Sequence, residues 1–113
     1  MDTTVTMTWR YPKIGKIDSP WQKATVSDIS RTGCSIALDK PLKVGQKIEL
    51  ALPLRPNGAD VSITAEAMRV DAIATSKKAA VGLKFVAITS EAERAIVDFI
   101  NRRQTDLRNR GLG

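Results

Sequence analysis

The sequence predicts an all-β fold, a six-stranded antiparallel β-barrel with a C-terminal α-helix. Three observations predict it. Apolar residues recur at every second position in six short runs, turn-forming residues separate the runs, and near residue 90 the period changes to that of a helix. Closure into a barrel is expected because an open sheet of such strands would expose two unpaired edges. The 113 residues suffice for one core and no more, so the chain is read as one domain spanning residues 1–113, with the barrel over about 3–88 and the helix over about 90–109.

Each element has its own signal. "TTVTMTWRY" sets Val5, Met7, Trp9 and Tyr11 on one face of a first strand, and "WQKATVSDIS" continues as a second. "CSIAL" follows Gly33 as a third. "PLKVGQ" is turn material before "KIELAL", where Ile48, Leu50 and Leu52 alternate. "RPNGAD" supplies another turn, with Asn57 and Gly58 suited to positive φ. "DVSITAEAMRVDAIA" places Val61, Ile63, Ala65 and Ala67 on one face; Met68 and Val70 then shift the phase by one, which predicts a bulge or sharp bend. Lys77 and Lys78 mark a hairpin tip, and "AVGLKFV" returns with Val81, Leu83 and Phe85.

In "SEAERAIVDFINRRQTDLRNRG", Ser90 and Glu93 stand at capping-box spacing, and Ala92, Ile96, Phe99, Ile100 and Leu107 form one stripe. Gly111 is the expected stop. Arg102, Arg103, Arg108 and Arg110 lie where cations favour the helix dipole. The stripe is dense only as far as Ile100, which leaves the last turns free to meet something else.

Composition narrows the chemistry. A formal charge of +6 favours an anionic partner: nucleic acid, a nucleotide, an acidic protein or a membrane surface. No apolar run approaches the roughly 18 residues of a membrane span, and the N-terminus lacks the pattern of a signal peptide, so a cytoplasmic location without membrane insertion is expected. With no histidine and one cysteine, neither a metal site nor a nucleophilic triad is expected, and the chain is read as not an enzyme. Cys34 is read as a small buried hydrophobe.

"DISRTGCSI", residues 28–36, departs from plain alternation. In a strand, Asp28 and Ser30 share a face, and Gly33 can adopt positive φ or admit a close neighbour. A carboxylate beside a hydroxyl suits ring nitrogen donors such as N1 and N2 of guanine. Equally, either side chain can hydrogen-bond its own turn.

This run resembles the DxSxxG signature of the PilZ domain family, with Asp28, Ser30 and Gly33 at its fixed positions. "PLKVGQKIELALPL" resembles the segment after the motif, "AVGLKFVAI" the family's late VGLxF strand, and a helix closes the chain. The resemblance implies a barrel that binds the bacterial second messenger cyclic di-GMP and passes the signal to an effector of motility, pilus or exopolysaccharide machinery. It implies ligand contacts from Asp28, Ser30 and Gly33; Arg31, inside the motif loop, and Arg10 are added as the cations expected to aid binding. The family's second element, RxxxR before the first strand, is not found: "MDTTVT" contains no arginine, and Ile14 stands four residues after Arg10, so either the arginines lie upstream in a longer chain, or other cations substitute, or the barrel is kept without the ligand. Lys13 and Lys16 are the nearest cations, and a lysine does not reproduce a bidentate guanidinium fork.

The resemblance thus implies a weakened or atypical receptor, or alternatively an adaptor that binds protein without cyclic di-GMP. A third reading, single-stranded nucleic acid on the basic surface, has Trp9, Tyr11 and Trp21 in its favour, but they do not form a stacking platform; DNA is not an expected partner. Trp9 is assigned to the core and Trp21 is left open.

Overall fold

The structure, a computed structural model, describes residues 2–12, 19–39, 42–55, 58–72 and 78–112, with side chains from residue 5 and up to residue 104 within those spans. Lys13, Ile14, Lys16, Asn57 and Lys77, and the side chains of Leu107, Arg108 and Arg110, lie outside the described residues. The described residues form β1 (Asp2–Arg10), β2 (Gln22–Ile29), β3 (Gly33–Leu38), β4 (Lys47–Leu52), β5 (Val61–Ala72), β6 (Ala79–Ala87) and α1 (Ser90–Leu112). Every strand pair is antiparallel and the sheet closes in the order β1-β2-β3-β6-β5-β4. The expected six-stranded barrel with a terminal helix is the fold.

Strand alternation builds the core. Met7 and Trp9 from β1, Ile48 and Leu50 from β4, Ile63, Ala65 and Ala67 from β5, and Val81 and Leu83 from β6 all point inward and are buried. Each large aliphatic side chain so placed contributes about 1.5–3 kcal/mol. Trp9 belongs to this core, with Tyr11 packed edge-on at 5.2 Å between ring centres. Ala92, Ala95, Ile96 and Phe99 of α1 complete it, with Ile100 partly buried beside them.

Two expectations about α1 are corrected. Its cap is Thr89, whose Oγ1 accepts the Ala92 N–H at 3.1 Å and whose carbonyl accepts the Glu93 N–H. Ser90 is already the first helical residue, and Glu93, the acid of the expected capping box, pairs with Arg31 at 3.6 Å, while its neighbour Glu91 pairs with Arg55 at 2.5 Å. Gly111 does not stop the helix, which runs on to Leu112. Among the described residues positive φ occurs at Gly45 (92°), in the turn before β4, and not at Gly58 or Gly33. Gly58 passes over the Arg55 stem, where a Cβ would lie 2.9 Å from Cδ.

Two bulges decide which side chains face outward. On β2, Ala24 and Val26 point inward, and strict alternation would carry Asp28 and Ser30 inward after them. The β2–β3 register slips between Val26 and Asp28, so Ser27 is an extra residue; Ile29 becomes the buried position and Asp28 and Ser30 turn out. On β5, Val61 to Ala67 alternate inward, and the β5–β6 register slips between Ala67 and Arg69. Met68 is the extra residue, as the phase break at Met68 and Val70 predicts. Arg69 turns out to the surface.

Candidate functional site

The two bulges face each other across the barrel wall. Register pairs Asp28 with Ser35, Ser35 with Gly82, and Gly82 with Arg69, so these four form one outward row over β2, β3, β6 and β5. A second row, beginning at Ser30 beside the β2–β3 turn, crosses Gly33, Lys84 and Glu66. Glycines occupy the middle of both rows. The result is a groove of about 420 Å³ lined by Asp28, Ser30, Thr32, Gly33, Ser35, Met68, Arg69, Gly82 and Lys84, among others.

The glycines serve differently. Gly33 is required by the backbone: a Cβ there would sit 2.1 Å from the Leu83 carbonyl oxygen, because β3 and β6 approach closely at this point. Its role is that close approach, and the positive φ that a tight reversal would ask for is absent. Gly82 is under no such constraint. A Cβ there would meet Arg69 Cβ at 3.7 Å, an ordinary contact, so the missing side chain leaves the floor of the groove open without being needed for packing.

Ser30 is tied to its own turn. Its Oγ donates to the Gly33 carbonyl at 3.2 Å and accepts the Thr32 N–H at 3.4 Å, while its own N–H donates to the Gly33 carbonyl at 2.8 Å. The Thr32 carbonyl in turn accepts the Phe85 N–H, pinning the turn to β6. The turn-forming alternative read from the sequence is therefore realised at Ser30, on a residue that still lines the groove. Under the groove, burial first and then the charge of Asp28 push the Cys34 thiol up to about 12. It remains a neutral, buried thiol.

The structure brings Asp28, Ser30 and Gly33 together and leaves both expected cations out of the groove lining. Arg31 reaches from the turn to Glu93 on α1 at 3.6 Å, both side chains being more than half exposed, a pairing worth little. Arg10 sits at the far end of the barrel. Because β1 runs antiparallel to β2, Asp2 pairs with Asp28 while Trp9 pairs with Gln22, which puts Arg10 about 25 Å along the strand from the motif. There its Nε donates to Glu49 at 2.6 Å and its guanidinium lies 4.4 Å over Trp21, which is exposed. Arg10, Trp21 and Glu49 border a separate cleft with Ser62 and Thr64.

The cations in the groove are Arg69 and Lys84, which sequence reading did not single out. The phase break at Met68 was the available signal: it announced a bulge, and the residue after a bulge is re-aimed. Arg69 Nε pairs with Asp71 Oδ2 at 3.0 Å. Among the described residues no group of His, Cys, Asp and Glu is arranged to hold a metal ion, and no helix is long and apolar enough to cross a membrane.

The family model of the PilZ domain matches residues 10–102, and the chain belongs to that family. Among solved structures it is similar to the inhibitor of motility MotI/DgrA from Bacillus subtilis, with a TM-score of 0.73 and 17% identity over 94% of this chain. The chain spans about half of that protein, 49% of its length. It is also similar to the PilZ domain of YcgR from Escherichia coli, solved with c-di-GMP, with a TM-score of 0.61 and 12% identity over 96% of this chain and 94% of that one. At these identities the likeness is one of fold. Comparison with the curated proteins gives no match.

Proposed function

We propose that this domain is a cytoplasmic PilZ-type signalling module and that its outer groove binds cyclic di-GMP by an atypical set of contacts. The observation that carries the reading is the convergence of Asp28, Ser30 and Gly33 on one open-floored groove that also contains two cations. Family membership supports it, as does the E. coli domain, which was solved with that ligand. In this reading the Asp28 carboxylate accepts from N1 and N2 of a guanine, Ser30 holds the turn that presents it, and the bare Gly82 floor admits the ring. The signal passes to an effector protein of motility, pilus or exopolysaccharide machinery; the name of the Bacillus neighbour favours the first.

A second reading, a protein-binding adaptor without nucleotide, is favoured by one observation: Arg10 and Arg31, the expected cations, are engaged with Glu49 and Glu93 instead of the groove. Calorimetric titration with cyclic di-GMP separates the two. The receptor reading expects saturable heat at tens of micromolar, lost by about tenfold or more in Asp28→Asn, which weakens the acceptor, and in Gly82→Val, which fills the floor. No heat from the unaltered protein, or titrations that neither variant changes, would leave the adaptor.

A further inference from the structure

A dianion beside a carboxylate needs a counter-charge, and the groove holds a guanidinium on β5, outside the strand and turn that carry the motif. The β5 bulge at Met68 falls between the Ala67–Leu83 and Arg69–Gly82 pairs, and its effect is to rotate Arg69 from the inward phase of Val61, Ile63, Ala65 and Ala67 onto the outer face. The bulge at Ser27 does the same for Asp28, and the two re-aimed residues end in one cross-strand row with Ser35 and Gly82 between them. The backbones at Asp28 and Arg69 thus stand three strand spacings apart, about 14 Å, on opposite walls of an open trough.

Arg69 is also oriented. Its Nε pairs with Asp71 Oδ2 at 3.0 Å and the side chain is still about three-quarters exposed, so the guanidinium is open to another acceptor. We infer that Arg69 is a phosphate-binding residue of this groove: it meets a phosphodiester of the nucleotide whose purine is held at Asp28. The inference rests on the groove being the cyclic di-GMP site. A phosphodiester is assigned because the acceptor wall at Asp28 takes the base, and the wall facing it across the glycine floor meets the sugar-phosphate ring. Arg69 is exposed, so replacing it leaves the core intact.

The full chain is titrated with cyclic di-GMP at several salt concentrations, as the unaltered protein and as Arg69→Gln, Arg69→Lys and Asp28→Asn, with thermal melts confirming that each is folded. Arg69→Gln is expected to weaken binding about 10- to 100-fold and to reduce the slope of log affinity against log salt by roughly 0.7 to 1. Arg69→Lys is expected to stay within about fivefold of the unaltered protein, since a point charge serves a phosphate where it would not serve a guanine edge. Unchanged affinity in Arg69→Gln alongside loss in Asp28→Asn overturns the inference and leaves the site standing. Equal loss in the Lys and Gln variants overturns the phosphate assignment. No binding by the unaltered protein removes the site reading, and this inference with it.

Discussion

A methyl group placed on Gly33 would lie 2.1 Å from the carbonyl oxygen of Leu83, whereas one placed on Gly82 would rest 3.7 Å from the nearest atom of its surroundings, the Cβ of Arg69. Only backbone movement relieves the first, because the opposing atom belongs to β6 itself. Gly33→Ala is therefore expected to lower unfolding free energy by about 2–3 kcal/mol in chemical denaturation, and Gly82→Ala to change it by less than about 0.5 kcal/mol. Equal effects from the two would show that the close approach of β3 and β6 is not what Gly33 secures. The contrast bears on ligand experiments as well. Loss of binding in a Gly33 variant would report a displaced turn, since Ser30 and Thr32 hang on that residue and on β6. Asp28, Arg69 and Gly82 are among the positions where a change reaches the groove while leaving the inward face alone.

The helix start separates two candidate caps one residue apart. Thr89 Oγ1 accepts the Ala92 N–H, while Ser90 is exposed within the first turn. Thr89→Ala is expected to cost about 1 kcal/mol, about 4 °C in thermal midpoint, and Ser90→Ala close to nothing; the reverse order would restore the cap to Ser90. Spacing pointed to the wrong hydroxyl, because Glu93 stands three residues after Ser90 whereas Ala92 stands three after Thr89. The same limit applies to the strands. Runs such as Ile48, Leu50, Leu52 and Val81, Leu83, Phe85 were legible because each follows one period from end to end. The bulge at Met68 was legible too, since it interrupts a long run. The bulge at Ser27 was not: Val26 to Ile29 is a spacing of three that a turn would equally explain, so the common face of Asp28 and Ser30 could be read but not that it faces outward. The cations of the groove stayed hidden for a related reason. Pairing of β6 with both β3 and β5 brings Arg69 and Lys84 to the motif from more than 35 residues away, and no local pattern encodes that adjacency.

Barrel closure is uneven, and this predicts where the molecule opens. β3 and β6 are paired along the whole of β3, from Gly33 with Lys84 to Leu38 with Ala79. The β1–β4 seam is registered only from Thr8 with Ala51 to Arg10 with Glu49. Arg10 therefore has a structural task at the far end of the barrel. Its pair with Glu49 joins the two strands at the seam, and Trp21 covers the guanidinium. Both side chains of the pair are about 30% exposed, so solvent screens the attraction to about 1 kcal/mol at most. Local opening free energies rise with the number of buried contacts that must break together. In native-state hydrogen exchange the amides of the seam, Thr8 to Arg10, are expected to exchange through a smaller opening than those of Cys34 to Ala37. Glu49→Gln is expected to speed seam exchange by about fivefold, the kinetic equivalent of about 1 kcal/mol, while leaving β3 and β6 unchanged. Uniform acceleration over all six strands would mean that the barrel opens as one unit. If the seam alone responds, Arg10 acts in closure at one end while the groove proposed for cyclic di-GMP is assembled by the fully paired β3–β6 wall at the other, and altering Arg10 is expected to leave any cyclic di-GMP affinity as it is.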